Sequence, residues 1–193
     1  MRLELFHKKQ RLSTTIIAQI VRFVEGFNPD IVRVFLYRKE FFGELFQPQL
    51  YPTMRGESEW TPGERELMGA FVSSKNQCRY CTDAHRATAG RFVGDATAEA
   101  VVKGEDAPSV SAKLVATLAF LDKLTISPRD VGPDDIAKLR EAGVSDDGIV
   151  NAVEVCVQFC IVNRLADTFG FRPQSPRELA NEAKALSTKH YRF

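Results

Sequence analysis

The 193-residue chain lacks the features that announce several common classes of protein. Its formal net charge is only +1, and its basic residues are spread along the chain rather than gathered in blocks. That leaves no electrostatic case for binding nucleic acid or an anionic membrane. The most apolar run, Ile16 to Phe27, is interrupted by Gln19, Arg22 and Glu25, so no stretch is expected to span a bilayer. Met1 to Lys9 alternates polar and apolar residues and has no apolar core of the kind a secretory signal needs. Period-two alternation, the mark of half-buried strands, is missing as well. Cysteine is scarce at four residues and histidine scarcer at three. Without an export signal, four cysteines point to a reducing compartment, and the expected location is cytoplasmic.

What the chain does have is helix punctuation. A hydrophobic fraction of 44% is enough for a sizeable core. Ile16, Ile20, Phe23, Val24 and Phe27 fit one helical stripe, with Ser13 or Thr14 as caps. Asn28-Pro29 reads as an N-cap and a proline at the first helical position, followed by a stripe of Ile31, Val34, Phe35, Phe41, Phe42 and Leu45. Gln47 to Ser58, with Pro48, Pro52 and Gly56, is expected to be an irregular linker. Thr61-Pro62-Gly63-Glu64 is a capping box with proline at N1, and Ser175-Pro176-Arg177-Glu178 repeats the device. Between them the spacing predicts a helix ending near Asn76, one from about Gln77 to Gly90, and one from Asp95 to Lys103. Another starts at Ser109, with Leu114, Leu118, Leu121 and Leu124 inward. A short helix follows from Gly132 to Gly143. The longest runs from Ser145 to Gly170 on the stripe Val150, Val153, Val157, Cys160, Ile161, Arg164 and Phe169. The tail His190-Tyr191-Arg192-Phe193 either docks or frays. The expected fold is all-α with about eight helices, divided into an N-terminal extension and linker, 1–58, and a helical core, 59–193.

Chemistry concentrates in one place. On a helix, Cys78, Cys81 and His85 recur at i, i+3 and i+7 and share a stripe. Two sulfurs one turn apart have Cα atoms roughly 5 Å apart, within disulfide range. His85, one turn beyond Cys81, can take a proton from a thiol or return one. Glu66 lies twelve residues before Cys78, on the preceding helix. If these two helices pack as a hairpin, its carboxylate reaches the imidazole and holds one tautomer. Cys156 and Cys160, at i and i+4 among valines and isoleucine, read as buried structural thiols. Arg164 reads as the partner of Glu154 or Asp167.

Glu66, eleven residues, then Cys78-x-x-Cys81-x-x-x-His85 resembles the AhpD-like alkylhydroperoxidases of the carboxymuconolactone decarboxylase superfamily. The lead-in Thr61 to Leu67, Ala87 to Gly90, and Asn163-Arg164-Leu165-Ala166-Asp167 with Phe169-Gly170-Phe171 resemble its peroxidase-related branch. The resemblance covers 61–171 well and 28–47 more loosely. It implies an all-helical homo-oligomer that reduces hydroperoxides. Cys81 would attack the peroxide oxygen and become a sulfenic acid, and Cys78 would resolve it to a disulfide. Glu66 and His85 would relay protons, and an external dithiol would reduce the bridge. No cofactor or metal is implied. A zinc site would draw on Cys78, Cys81, His85 and Glu66, but three donors from one helix suit tetrahedral geometry poorly. The superfamily's other activity, a decarboxylating lyase, needs no dithiol. Best-known members carry a histidine where this chain has Tyr80, whose hydroxyl can donate a hydrogen bond but is a poor base near pH 7.

Overall fold

The computed structural model describes residues 1–8, 11–28, 30–107, 109–189 and 191. Every regular element among them is helical, so the chain is all-α. Helix α1 spans Leu5–Lys8, and α2, Leu12–Ile20, continues as a π-helical turn, Val21–Glu25, that stops at Gly26. Helix α3, Asp30–Tyr37, leads to a second π-helical stretch, Lys39–Phe46, which runs into α4, Gln47–Arg55. Then follow α5, Pro62–Lys75; α6, Arg79–Val93; α7, Asp95–Lys103; and α8, Ala112–Ile126. The last three are α9, Pro133–Glu141; α10, Asp146–Phe169; and α11, Pro176–Lys189.

Helix α5 is the axis of the fold. Ten of its 14 residues are buried, so it is covered on all sides rather than along one stripe. Its start is fixed by the expected capping box: Thr61 Oγ1 accepts from the Glu64 amide at 3.2 Å, and Glu64 Oε2 accepts from the Thr61 amide at 2.8 Å. Helices α6, α10, α8 and α7 pack around it, and α11 lies against α6. Ser175 and Glu178 cap α11 in the same reciprocal way. Ser145 caps α10, which ends at Gly170 in the left-handed conformation, φ 64°.

Several sequence expectations need correcting. Gln47 to Arg55 is helical, because Pro48 falls in the first turn, where a missing N–H is no loss, and only Pro52 sits inside. Gly90 does not stop α6; Asp95 packs so tightly over it that a Cβ there would collide with the Asp95 carboxylate. The stop is Gly94, φ 90°. Ser111 rather than Ser109 caps α8, accepting from the Leu114 amide at 3.2 Å. Helix α2 begins before Ser13, at Leu12, without a side-chain cap. Pro29 and three of the four tail residues, His190, Arg192 and Phe193, lie outside the described residues.

Two stripes also face otherwise than expected. On α10 the buried face is Ile149, Ala152, Cys156, Phe159, Asn163 and Ala166, whereas Val150 and Val157 are more than half exposed. Small and polar residues line the buried side because α5 approaches closely there, and Asn163 and Ser73 bond across the contact at 3.1 Å. By length and composition α10 could cross a bilayer, with mean hydropathy 1.5, but half of that window is packed inside the protein. In the N-terminal stripe only Phe27 is buried; Phe23 and Val24 are 77% and 73% exposed.

Phe159 of α10 packs directly over Gly69 of α5. A Cβ there would stand 2.8 Å from Cε1 of Phe159 and nearer still to the end of the ring. Alanine adds about 1 kcal/mol of helix propensity, but overpacking typically costs about 1–3 kcal/mol. Gly69→Ala is expected to lose a net ~1–2 kcal/mol in urea unfolding, and a neutral or stabilised variant would mean that Phe159 can retreat.

Candidate active site

The α5–α6 turn places the sulfurs. Gln77 takes a left-handed conformation, φ 60°, so α6 starts after it, with Cys78 as its N-cap in extended backbone. Cys78 and Cys81 are both free thiols, essentially without solvent exposure. The neighbouring Cys78 thiol and then burial push the Cys81 thiol well above its ordinary range, so at rest it keeps its proton.

Glu66 is fully buried and faces α6 from α5. Its Oε2 lies 2.7 Å from His85 Nδ1, the contact that the Glu66-to-Cys78 spacing suggested. Its Oε1 accepts from Arg55 Nη2 at 2.5 Å and from the Tyr191 hydroxyl at 2.8 Å. Burial alone would raise the Glu66 carboxyl, but the hydrogen bond and charge of His85, then those of Arg55, outweigh it and hold the group below the usual carboxylate range. An ionised carboxylate can only accept, so His85 Nδ1 carries the hydrogen. In the neutral ring that leaves Nε2 as the free base. Phe159 meets the imidazole edge-on, with centroids 4.5 Å apart, and fixes its plane from the α10 side.

Cys81 and His85 both line a cavity of about 340 Å³; Cys78 is not in its lining. Ile17, Ile31, Phe35, Leu50, Val162 and Leu186 make most of the wall apolar, and the N-terminal helices supply much of it. Polar atoms enter at few points. Tyr80 is one: its ring packs edge-on against Phe171, and its buried hydroxyl has no well-formed hydrogen bond among the described residues. Burial and the neighbouring Glu182 charge push that phenol far up, so it can serve only as a donor. Glu182, from α11, is also buried in the wall and accepts from Gln174; burial raises its carboxyl.

Sequence reasoning found Glu66, Cys78, Cys81 and His85, and the structure brings these four side chains to one region of the α5–α6 hairpin. It missed Arg55, Glu182 and Phe159. Arg55 had no signal beyond being an arginine in a stretch taken for a linker. Tyr191 belongs to the tail that was expected to dock or fray; it docks, 5% exposed, with Arg55 stacked 4.9 Å over its ring. Both Glu66 oxygens are occupied by protein donors, and no group of three or more His, Cys, Asp or Glu side chains among the described residues is arranged to hold a metal.

The buried charge sets a pH dependence with a definite sign. Because the Glu66 pKa is depressed in the folded state, its stabilisation is full above the ordinary carboxylate pKa and is lost as pH falls through the lower, folded value. Glu66→Gln leaves Arg55 buried without its counter-ion, a loss of about 3–5 kcal/mol at pH 7. Urea titrations should show the gap from wild type narrowing as the pH is taken well below 4.5, the group's ordinary value.

No protein-family model matches the chain, and no curated protein matches it. Solved structures do. An uncharacterized peroxidase-related protein from Silicibacter sp. TM1040 superposes with a TM-score of 0.76 at 25% identity, over 92% of this chain and 93% of that one. A second, described as an alkylhydroperoxidase AhpD core and an uncharacterized peroxidase-related protein from Ralstonia eutropha JMP134, gives a TM-score of 0.75 at 26% identity, over 90% and 92%. The chain is therefore AhpD-like and groups with the peroxidase-related proteins of that fold.

Proposed function

We propose that the protein is a thiol-dependent peroxidase that reduces hydroperoxides through a Cys78–Cys81 dithiol/disulfide cycle. The observation that carries this reading is the meeting of Cys81 and His85 in one cavity wall, with Glu66 bonded to the far side of the imidazole. The peroxidase-related neighbours support it.

In this mechanism His85 Nε2 takes the Cys81 proton as the peroxide arrives, since the thiol is protonated at rest. The Cys81 sulfur attacks one peroxide oxygen; an S–O bond forms, the O–O bond breaks, and sulfur gives up two electrons. The departing alkoxide takes its proton from the imidazolium, with Tyr80 placed to donate a hydrogen bond. Cys78 then attacks the Cys81 sulfenic acid, an S–S bond forms and water leaves. An external dithiol reduces the bridge in a reducing, cytoplasmic setting. That Cys81 lines the cavity supports the attacking role the resemblance implies for it, although the position of Cys78 at the helix N-terminus alone would favour Cys78.

The 59–193 core supplies the reacting groups, and 1–58 supplies apolar wall and Arg55. The exposed N-terminal residues Phe23 and Val24 fit burial in a homo-oligomer.

The test is stoichiometric reaction with hydrogen peroxide and with an alkyl hydroperoxide, followed by mass spectrometry of wild type and Cys78→Ser. A sulfenic acid trapped at Cys81 in the variant is expected, and a Cys81 peptide left unoxidised by either peroxide overturns the reading. His85→Gln should slow oxidation of Cys81 by about 10²–10⁴-fold, the range for loss of a general base; an unchanged rate would remove His85 from the chemistry.

A further inference from the structure

The cavity beside Cys81 and His85 carries a polar group that the proposed cycle leaves unused. Gln158, on α10 one turn before Val162, lines it alongside Phe159. The side chain is 8% exposed, and its Oε1 is buried without a hydrogen-bond partner among the described residues. Buried polar atoms are nearly always paired, because an unmade bond forfeits water and gains nothing in return. Leucine would fill the same place with no oxygen to bury. The Tyr80 hydroxyl is the other unpartnered atom in this wall among the described residues, and in the proposed cycle the reacting peroxide oxygen answers it. Nothing in that cycle answers Gln158. An acceptor left open in the wall of a cavity of about 340 Å³ points to a ligand that brings a donor to it.

The rest of the wall restricts what that ligand is. Ile31, Phe35, Leu50, Val162 and their neighbours make it apolar, so the body of the ligand is apolar too. A space of this size is at the lower end for small-molecule sites. Hydrogen peroxide, hardly larger than a water with its share of about 30 Å³, would leave most of it unfilled. A carboxylate brings no donor for Gln158. It also meets no free cation: Lys39, the one lysine or arginine among the described residues of the wall, has a side chain 56% exposed and paired with Glu44 at 3.2 Å. Glu182, buried and bonded to the neutral Gln174, opposes a second negative charge. An ammonium brings donors but no ready counter-ion, since burial raises the Glu182 carboxyl toward its neutral form and the cycle places an imidazolium at His85. A hydroxyl brings a donor without charge. We propose, on the peroxidase reading above, that Gln158 is a specificity-determining residue and that the substrate is an apolar hydroperoxide bearing a hydroxyl group apart from its –OOH. The hydroxyl donates to Gln158 Oε1 while the –OOH meets Cys81 and His85, and the alcohol product keeps the same contact.

Cumene hydroperoxide and its ring hydroxymethyl, carboxylate and aminomethyl derivatives, each as meta and para isomers, give a matched series. Second-order rates of Cys81 oxidation are read by quenched flow and mass spectrometry. With wild type the better hydroxymethyl isomer should react about ten-fold faster than cumene hydroperoxide, as one neutral hydrogen bond allows, and the charged derivatives should react more slowly. In Gln158→Leu and Gln158→Met, checked for native circular dichroism, the hydroxymethyl advantage should shrink to within about two-fold. A wild-type ratio near one, a charged derivative that reacts fastest, or an advantage that survives both substitutions overturns the proposal. Binding separates these outcomes from failure of the cycle. Cumyl alcohol and its hydroxymethyl derivatives are titrated by NMR into the Cys78→Ser, Cys81→Ser double variant, which cannot turn over. Binding of a hydroxymethyl derivative about ten-fold tighter than cumyl alcohol, lost on adding Gln158→Leu, is expected whether or not Cys81 is oxidised; equal binding overturns the proposal. A Cys81 left unoxidised by every peroxide of the series contradicts the peroxidase reading alone.

Discussion

A carboxylate with no access to water governs this structure. Glu66 lies on α5, a helix buried on all sides, where an ionised group survives only if every lone pair is answered. Arg55, Tyr191 and His85 answer it from three separate elements: α4, the C-terminal tail and α6. Such an ion pair is a poor source of net stability against an apolar alternative. Its effect is geometric. One charge ties together the end of α4, Tyr191 and the orientation of the imidazole. The guanidinium adds a second constraint by stacking on Tyr191, so each partner of Glu66 is also positioned by another.

From that point the site follows by proximity. His85 is gripped on its Nδ1 edge by the carboxylate and on its face by Phe159, whose own place depends on Gly69 leaving room on α5. The cavity beyond is walled largely by apolar side chains from before residue 58, so the N-terminal helices close the chamber rather than merely precede it. In that dry space a thiol resists ionisation, and Cys81 depends on a neighbouring base to become nucleophilic. Cys160, on α10, is by contrast only partly buried.

Local rules made much of this legible. Thr61 with Glu64, Ser175 with Glu178, Ser145 and Gly170 fixed helix ends because capping depends on a few adjacent residues. The shared stripe of Cys78, Cys81 and His85 follows from helical periodicity alone. Failures came where the deciding partner is distant or the pattern is degenerate. Gly90 looks like a stop, but it is there to admit Asp95. Pro48 looks like a breaker, but a proline in the first turn breaks nothing. On α10 two apolar stripes compete, and the choice between Val157 and Cys156 belongs to the helix packed against it. Tyr191 is 125 residues from Glu66, and no local pattern could pair them.

Nitrogen-15 NMR of the His85 ring tests the organising claim most directly. If the Glu66 carboxylate orients the imidazole toward the sulfurs, the neutral ring carries its proton on Nδ1, with the N–H shifted by a strong hydrogen bond, and Nε2 is bare. A neutral ring protonated on Nε2 would contradict that geometry and leave Cys81 without its base.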